Sequence, residues 1–161
     1  MKRVKGESKQ HFSHRLYRTR TYGVWNGQKT QAKKLDVPFT LTLETLREMV
    51  TAAVGKPCPY CQEVLTLRTF SADHKTPASA GGSFDADNFE IICQRDNETK
   101  GRMLAHEYAI LISTLKIFSE ASRADVLRRL RMGSAAMRNI FWGGKRQPGK
   151  PAPEVASAVK A

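Results

Sequence analysis

The chain has 161 residues and a formal net charge of +12, with 27 lysines and arginines against 15 acidic residues. This length suits one compact domain, and a hydrophobic content of 40% excludes an intrinsically disordered chain. No membrane span is predicted, because the longest apolar run, residues 108–112, is far shorter than the ~20 residues of a membrane helix. No apolar segment follows the charged amino terminus, so we predict no secretory signal and expect a cytoplasmic protein. Three cysteines, an odd number, favour metal binding or redox chemistry over a disulfide scaffold.

The basic charge lies at the two ends of the chain. Residues 1–40 have ten basic and two acidic side chains, residues 41–101 have six and nine, and residues 102–161 have eleven and four. A slightly acidic centre between two basic segments predicts a catalytic or metal-binding domain that is held on a polyanion. The alternative is that Lys and Arg only keep a small protein in solution, although a smaller net charge is enough for that.

Residues 1–40 show neither a helical nor a strand period, and we interpret them as a basic DNA-binding arm. Three arginines in this segment, Arg15, Arg18 and Arg20, alternate with aromatic residues, a composition that is typical of nucleic-acid-binding segments. The alternative is that the aromatic side chains pack on the neighbouring domain while the arginines face water.

The next segment has clearer periods. Residues 43–53 have apolar residues at helical spacing, with Thr42 as the N-cap and Gly55 as the end of the helix. Alternating apolar residues then predict two short strands, at residues 65–69 and 89–93.

Helices are predicted again after the second strand. Residues 103–119 have an apolar stripe at helical spacing. A further helix is predicted to begin at Ser122, with Asp125 three residues on, and to end at Gly133. Residues 143–161 are rich in glycine, proline and small residues, and a flexible tail is predicted there.

The cysteines indicate a metal site. Cys58 and Cys61 form a Cys-x-x-Cys pair that suits either a redox centre or one half of a zinc site, but no βαβ pattern surrounds it. Cys93 and Asp96 repeat the same spacing about thirty residues later, and three thiolates with one carboxylate can complete a tetrahedral zinc site. The alternatives are a buried strand cysteine at Cys93 and a helix N-cap at Asp96.

Between and after these two pairs runs the sequence DHKTPASAGGSFDADNFEIICQRDNETKG, residues 73–101. This ordered set of motifs, DH-x-x-P, DN and N-x-x-K-G, resembles the ββα-metal core of the HNH endonucleases over about residues 56–102. Members with a structural zinc usually have a cysteine directly before the last letter of the motif, where this chain has Asp96. His106 is a poor substitute for that ligand, because it lies about three helical turns downstream.

The resemblance implies a role for five residues. His74 matches the general base, and Asp73 and Asn97 match the two protein ligands of a catalytic Mg²⁺ or Mn²⁺. Asn88 matches the residue that braces the loop beside the histidine, and Lys100 falls where a cation could contact a phosphate. The chemistry of the residues agrees, because imidazole suits deprotonation of water near neutral pH and carboxylate and amide oxygens suit Mg²⁺.

The resemblance therefore implies an α+β fold with a small zinc-containing core, and a metal-dependent endonuclease that nicks or cleaves DNA. HNH domains of this size often come from phages, in which case the host cytoplasm is the expected location. Two alternatives use the same core: a junction nuclease or RNase, and a non-catalytic zinc-containing DNA-binding module. The apolar C-terminal helices also allow a homodimer. The regions expected are the basic arm (1–40), the nuclease core (41–102), the C-terminal helices (103–142) and the tail (143–161).

Overall fold

The computed structural model describes residues 1–138, and the predicted tail at residues 143–161 lies outside this part of the chain. No helix within residues 1–138 is long and apolar enough to cross a lipid bilayer. The helices and strands are α1 (Lys9–Leu35), α2 (Leu43–Ala53), β1 (Phe70–His74), β2 (Phe89–Cys93), α3 (Gln94–Lys100), α4 (Ala105–Leu115) and α5 (Glu120–Arg138).

The centre of the fold is a two-stranded sheet with one helix. β1 and β2 are antiparallel, and their register pairs Phe70 with Cys93 and His74 with Phe89. α3 begins directly after β2 and packs against both strands. The predicted α+β fold with a small ββα core is confirmed, and so is the predicted strand at residues 89–93.

One apolar core holds this small sheet in place. The strands, α2, α4 and the intervening loops all contribute buried side chains to it. Full burial of one large apolar side chain stabilises a fold by about 1.5–3 kcal/mol, so a sheet of only two strands depends on these neighbours. Residues with almost no exposed surface in this core include Leu46, Val50, Phe70, Phe84, Ile92 and Tyr108.

The predicted helix at residues 43–53 is confirmed with both of its ends. The Thr42 side chain accepts a hydrogen bond from the backbone N–H of Thr45. Gly55 follows the helix with a φ of +88°, and its N–H donates to the carbonyl of Leu65. Glycine adopts this left-handed conformation without strain, so it turns the chain toward the first cysteine pair.

Residues 1–40, whose sequence shows no helical or strand period, are mostly helical, because α1 covers most of this segment. Sequence periodicity does not show this helix because it has few buried positions and polar residues all around. Its aromatic side chains are anchored on the rest of the domain: Trp25 Nε1 donates to the carbonyl of Leu41 over 2.8 Å, and the Tyr17 hydroxyl donates to the carbonyl of Arg47. The segment is therefore a helix whose aromatic side chains pack on the rest of the domain, as the alternative interpretation predicts, and this packing is compatible with a DNA-binding role for its exposed face.

The predicted strand at residues 65–69 is also wrong. The hydroxyls of Thr66 and Thr69 lie 2.9 Å apart, and the backbone N–H of Thr69 donates to the carbonyl of Thr66. Threonine hydroxyls compete in this way with strand hydrogen bonds and close a turn. The first strand begins after this turn, at Phe70.

The C-terminal helices differ from the prediction in their bounds. The helix predicted at residues 103–119 is confirmed in its central part as α4. α5 starts at Glu120, because Ser119 rather than Ser122 accepts the first backbone hydrogen bonds, and it continues through Gly133. A glycine inside a helix costs about 1 kcal/mol, which is too little to end a helix of 19 residues.

Candidate active site and metal centre

The four residues predicted to bind zinc lie together. Cys58 and Cys61 lie on the turn after α2, Cys93 is the last residue of β2, and Asp96 is in the first turn of α3. Their four candidate ligand atoms all lie within 4.8 Å of one another. Cys58, Cys93 and Asp96 are buried, so the site is closed to solvent on most sides.

The distances suit a tetrahedral metal ion. Asp96 Oδ2 lies 3.2 Å from Cys58 Sγ and 3.1 Å from Cys93 Sγ, and the Sγ atoms of Cys61 and Cys93 are 3.6 Å apart. In a zinc site with Zn–S bonds of about 2.3 Å, two sulfur atoms are separated by about 3.8 Å. The backbone N–H groups of Cys93 and Asp96 donate to the Sγ atoms of Cys58 and Cys93, and such bonds favour the thiolate form.

Close packing perturbs the protonation of these groups. The hydrogen bond from the Cys93 thiol lowers the pKa of Cys58 to about 6, whereas burial raises the pKa of Cys61 to about 11. Burial raises the pKa of Asp96, but hydrogen bonds, among them those from Cys61, Cys93 and Tyr108, outweigh it and keep the pKa below its usual value. A carboxylate and a thiolate are thus already favoured at a site whose ligands must be deprotonated to bind zinc.

Tyr108, a buried residue of α4, belongs to this site, which the sequence does not predict. Its hydroxyl donates to Asp96 Oδ1 over 2.9 Å. The sequence predicts Tyr108 only as one position of the apolar helical stripe at residues 103–119. The signal that could have distinguished it is chemical, because a hydroxyl on a buried stripe needs a hydrogen-bond partner.

The predicted catalytic residues line a second site. Asp73, His74 and Asn97 all border one cavity of about 700 Å³, which is open to solvent on one side. Asp73 and His74 end β1, and Asn97 lies on α3 beside that strand. Walls of the same cavity come from α1 and α5, outside the sheet and α3. Their lining residues are Gln28, Gln31, Leu35, Arg129, Leu130, Gly133 and Ser134.

The imidazole of His74 is held between two aromatic rings. The ring of Phe84 meets it edge-on at 4.5 Å between centroids, and the ring of Phe89 lies at 4.3 Å. His74 Nε2 is buried and has no hydrogen-bond partner within the described residues. Burial, followed by the charge of Lys100, lowers the pKa of His74 to about 4. The ring is therefore neutral at pH 7 and has a nitrogen that can accept a proton.

Lys100 is placed differently from the prediction that it contacts a phosphate. Its ammonium is buried, donates to the carbonyl of His74 over 2.8 Å and lies 3.0 Å from Asp73 Oδ2. The carboxylate draws the lysine inward, since an unpaired buried charge would be costly. Burial raises the pKa of Asp73 to about 6, against the opposing effect of Lys100. Lys100 thus neutralises Asp73 and fixes the end of β1.

Asp73 and Asn97 offer the oxygen atoms that Mg²⁺ or Mn²⁺ prefers. Asp73 Oδ2 has no hydrogen-bond donor within residues 1–138, although the Lys100 ammonium is close to it. Asn97 Nδ2 donates to Ser71 Oγ over 2.6 Å, which fixes the amide and leaves its oxygen as the candidate ligand atom. These donor groups fit a hard divalent cation.

Asn88 spans the loop that leaves His74. Its side-chain oxygen accepts from the backbone N–H of Thr76, and its Nδ2 donates to the carbonyls of Thr76 and Ser83. Gly82 belongs to the same loop, and a Cβ built there would lie only 1.8 Å from the Thr76 carbonyl oxygen. Asn88 therefore ties together the two ends of a tight loop on the edge of the cavity, without reaching into it.

The three arginines predicted to bind DNA have different surroundings. Arg15 forms a bidentate pair with Glu7, with N–O distances of 2.9 and 2.7 Å. Arg20 donates to the carbonyl of Phe70 over 3.0 Å and lies over the Phe70 ring. Arg18 is exposed on α1. Only Arg18 of these three is presented freely to solvent, whereas Arg20 connects α1 to the sheet.

α1 also contributes Gln28 to the cavity. The sequence predicts no role for this residue. Gln28 Nε2 donates to the carbonyl of Ala72, the residue before Asp73, over 3.3 Å. Its Oε1 atom is buried without a hydrogen-bond partner among the described residues. No sequence signal pointed to Gln28, because its contact depends on how a distant helix packs on β1.

Comparison with known proteins relates part of the chain to a family. Residues 58–103 match the family model described as HNH endonuclease. The matched range contains both cysteine pairs, the strands, α3 and the cavity residues Asp73, His74 and Asn97. The chain has no match among curated proteins.

Proposed function

We propose that the protein hydrolyses phosphodiester bonds in DNA with His74 as the general base, because residues 58–103 match the HNH endonuclease family model. This family match supports a nuclease activity, and HNH nucleases use divalent metal ions. The observation that carries the proposal is the neutral, unpartnered imidazole of His74 in one cavity with Asp73 and Asn97.

His74 accepts the proton of the attacking water through its imidazole, which is neutral at pH 7 and borders the cavity. The rings of Phe84 and Phe89 fix the plane of the imidazole. The side chain of His74 therefore loses little conformational entropy when the substrate binds. Lys100 and Asn88 act indirectly: Lys100 binds the carbonyl of His74, and Asn88 braces the loop that follows it.

Asp73 and Asn97 would hold the catalytic Mg²⁺ or Mn²⁺ through a carboxylate oxygen and an amide oxygen. When bound, such a cation supplies positive charge beside the scissile phosphate and stabilises the leaving oxygen. Two contacts position these candidate ligands before a cation binds. The charge of the buried Asp73 carboxylate is offset by Lys100, and the amide nitrogen of Asn97 donates to Ser71. Zinc, in contrast, suits the sulfur-rich site at the opposite end of β2 and would stabilise the fold there when bound.

The experiment for this function is an incubation of supercoiled plasmid with the purified protein and Mg²⁺ or Mn²⁺, with EDTA as the control. We expect nicked or linear DNA on a gel with either cation and intact plasmid with EDTA. Parallel incubations with a four-way DNA junction and a structured RNA distinguish the related nucleases. Intact plasmid with both cations, or equal cleavage in EDTA, would contradict the proposal.

Two of the three arginines of α1 give a prediction about DNA binding. Arg18→Ala should weaken non-specific DNA binding without changing the melting temperature, and the slope of log K against log salt should fall by about 0.9 per lost phosphate contact. Arg20→Ala should instead destabilise the fold by about 1 kcal/mol, because its guanidinium binds the Phe70 carbonyl. Salt titrations and thermal melts of both variants check this pair, and a slope identical to wild type for Arg18→Ala would contradict it.

The loss of cleavage activity at low pH, the acid limb of the pH profile, should follow protonation of Asp73 rather than of His74. With a pKa of about 4, His74 is neutral above pH 5, whereas Asp73, with a pKa of about 6, takes up a proton as the pH falls through 6. Protonation removes a cation ligand, so cleavage should fall below pH 6. A tenfold rise in Mg²⁺ above its half-saturating concentration should move this limb down by about one pH unit, because the cation competes with the proton. An acid limb that does not move with Mg²⁺ would contradict this assignment.

A further inference from the structure

The fourth candidate ligand of the zinc site is a carboxylate, which raises a problem that a cysteine does not. Asp96 is buried, with 3% of its surface exposed. Its Oδ2 atom faces the sulfur atoms of Cys58 and Cys93, so its Oδ1 atom is left to be satisfied by another donor. An unpaired oxygen of a buried carboxylate costs free energy and lets the group rotate.

Tyr108 supplies that donor from a different element. Its hydroxyl lies 2.9 Å from Asp96 Oδ1, and its side chain has no exposed surface. The ring is fixed by an edge-on contact with Tyr60 at 4.9 Å between centroids. α4 is tied to the core through the backbone N–H of Ala105, which donates to the carbonyl of Lys75. The phenol is therefore a rigid donor aimed at one oxygen of Asp96.

We propose that Tyr108 is a positioning residue of the metal centre, which holds Asp96 so that Oδ2 alone serves as the fourth zinc ligand. This inference depends on the proposed zinc site. The hydrogen bond makes Oδ1 unavailable and prevents rotation of the carboxylate. Residues that orient metal ligands in this way commonly change metal affinity 10–100-fold when they are mutated.

The test is zinc affinity, measured on the full chain by competition with a chromophoric chelator. Tyr108→Phe removes only the hydroxyl and should weaken zinc binding about 10–100-fold. Tyr60→Phe is the matched control, because Tyr60 lies against Tyr108 but donates its hydroxyl to Glu90. We expect this control to change zinc affinity less than threefold.

The Asp96→Cys background separates positioning from a general effect on the fold. A thiolate has a single donor atom and no second oxygen to hold, so adding Tyr108→Phe to Asp96→Cys should change zinc affinity less than threefold. Circular dichroism of the zinc-loaded proteins accompanies each titration. If Tyr108→Phe unfolds in the native background but folds with zinc in the Asp96→Cys background, the proposal is supported.

Three results would overturn the inference. Wild-type zinc affinity in Tyr108→Phe would show that the hydroxyl does not hold the ligand. An equal loss in both backgrounds, or unfolding in both, would show that Tyr108 acts only through packing. Failure of the wild-type chain to bind zinc, or unchanged binding by Cys58→Ser, would instead overturn the zinc site itself, and these two readouts do not depend on Tyr108.

Discussion

His74→Ala is expected to slow DNA cleavage about 10²–10⁴-fold, the usual contribution of a general base. DNA affinity should be almost unchanged, because it depends mainly on Lys and Arg contacts to phosphates. Single-turnover cleavage at saturating Mg²⁺ and a binding titration at fixed salt measure the two effects. Added imidazole should restore part of the rate, because the cavity left beside Phe84 and Phe89 can admit it.

The matched control for this substitution is His106→Ala. His106 is exposed on α4 and lies outside the cavity, so its removal should leave the cleavage rate within twofold of wild type. A thermal melt is needed for His74→Ala, since the imidazole is buried between two rings. A folded His74→Ala protein that cleaves DNA at the wild-type rate would remove the nuclease function from this motif.

Loss of the zinc ligands is the second large effect that we expect. Binding of structural zinc contributes on the order of 10 kcal/mol in small zinc-finger peptides, which is comparable to the whole stability of a typical domain. Cys58→Ala should therefore abolish zinc retention and the cooperative melting of the core. Asp96→Ala should weaken retention less, because water can replace a carboxylate oxygen.

Metal analysis of protein purified without added zinc checks the stoichiometry, for which we expect one zinc per chain. Thermal melts before and after dialysis against a strong chelator check the stability. The melting transition should return when zinc is added back, which distinguishes metal loss from irreversible damage. A metal-free wild-type protein with an unchanged cooperative melt would contradict a structural role for zinc.

The sequence predicted those parts of the molecule that depend on local chemistry. The N-cap at Thr42 and the left-handed glycine at Gly55 mark the ends of α2, and these signals are contained in a few neighbouring residues. The same holds for the cysteine pairs, because two residues at fixed spacing on a turn bring their ligand atoms together. These features needed no knowledge of the packing of distant segments.

Features that depend on tertiary contacts were missed. α1 has no apolar stripe, and it is held through single anchors such as the Trp25 indole on the Leu41 carbonyl. The sequence predicts a surface cation at Lys100, but its ammonium is buried beside Asp73. The sequence predicts an apolar core residue at Tyr108, but its hydroxyl donates to Asp96. In each case a polar group has a partner far away in sequence, which periodicity does not reveal.

Because Asp73 and Lys100 form a buried ion pair, the choice of variant matters for testing the site of the catalytic cation. Removal of Asp73 would leave Lys100 buried without its counter-charge, and loss of one partner of such a pair commonly costs about 3–5 kcal/mol. Asn97→Ala removes the other candidate ligand and loses only the hydrogen bond to Ser71. Asn97→Ala is therefore the cleaner variant for separating cation binding from folding.

The most direct measurement is the Mg²⁺ dependence of single-turnover DNA cleavage in wild type, His74→Ala and Asn97→Ala. We predict that Asn97→Ala raises the Mg²⁺ concentration needed for half-maximal rate about tenfold or more, and that high Mg²⁺ restores much of its rate. His74→Ala should lower the maximal rate by about 10²-fold or more without moving the half-maximal concentration. Identical Mg²⁺ curves for the three proteins would contradict the assignment of a base and a cation ligand to this cavity.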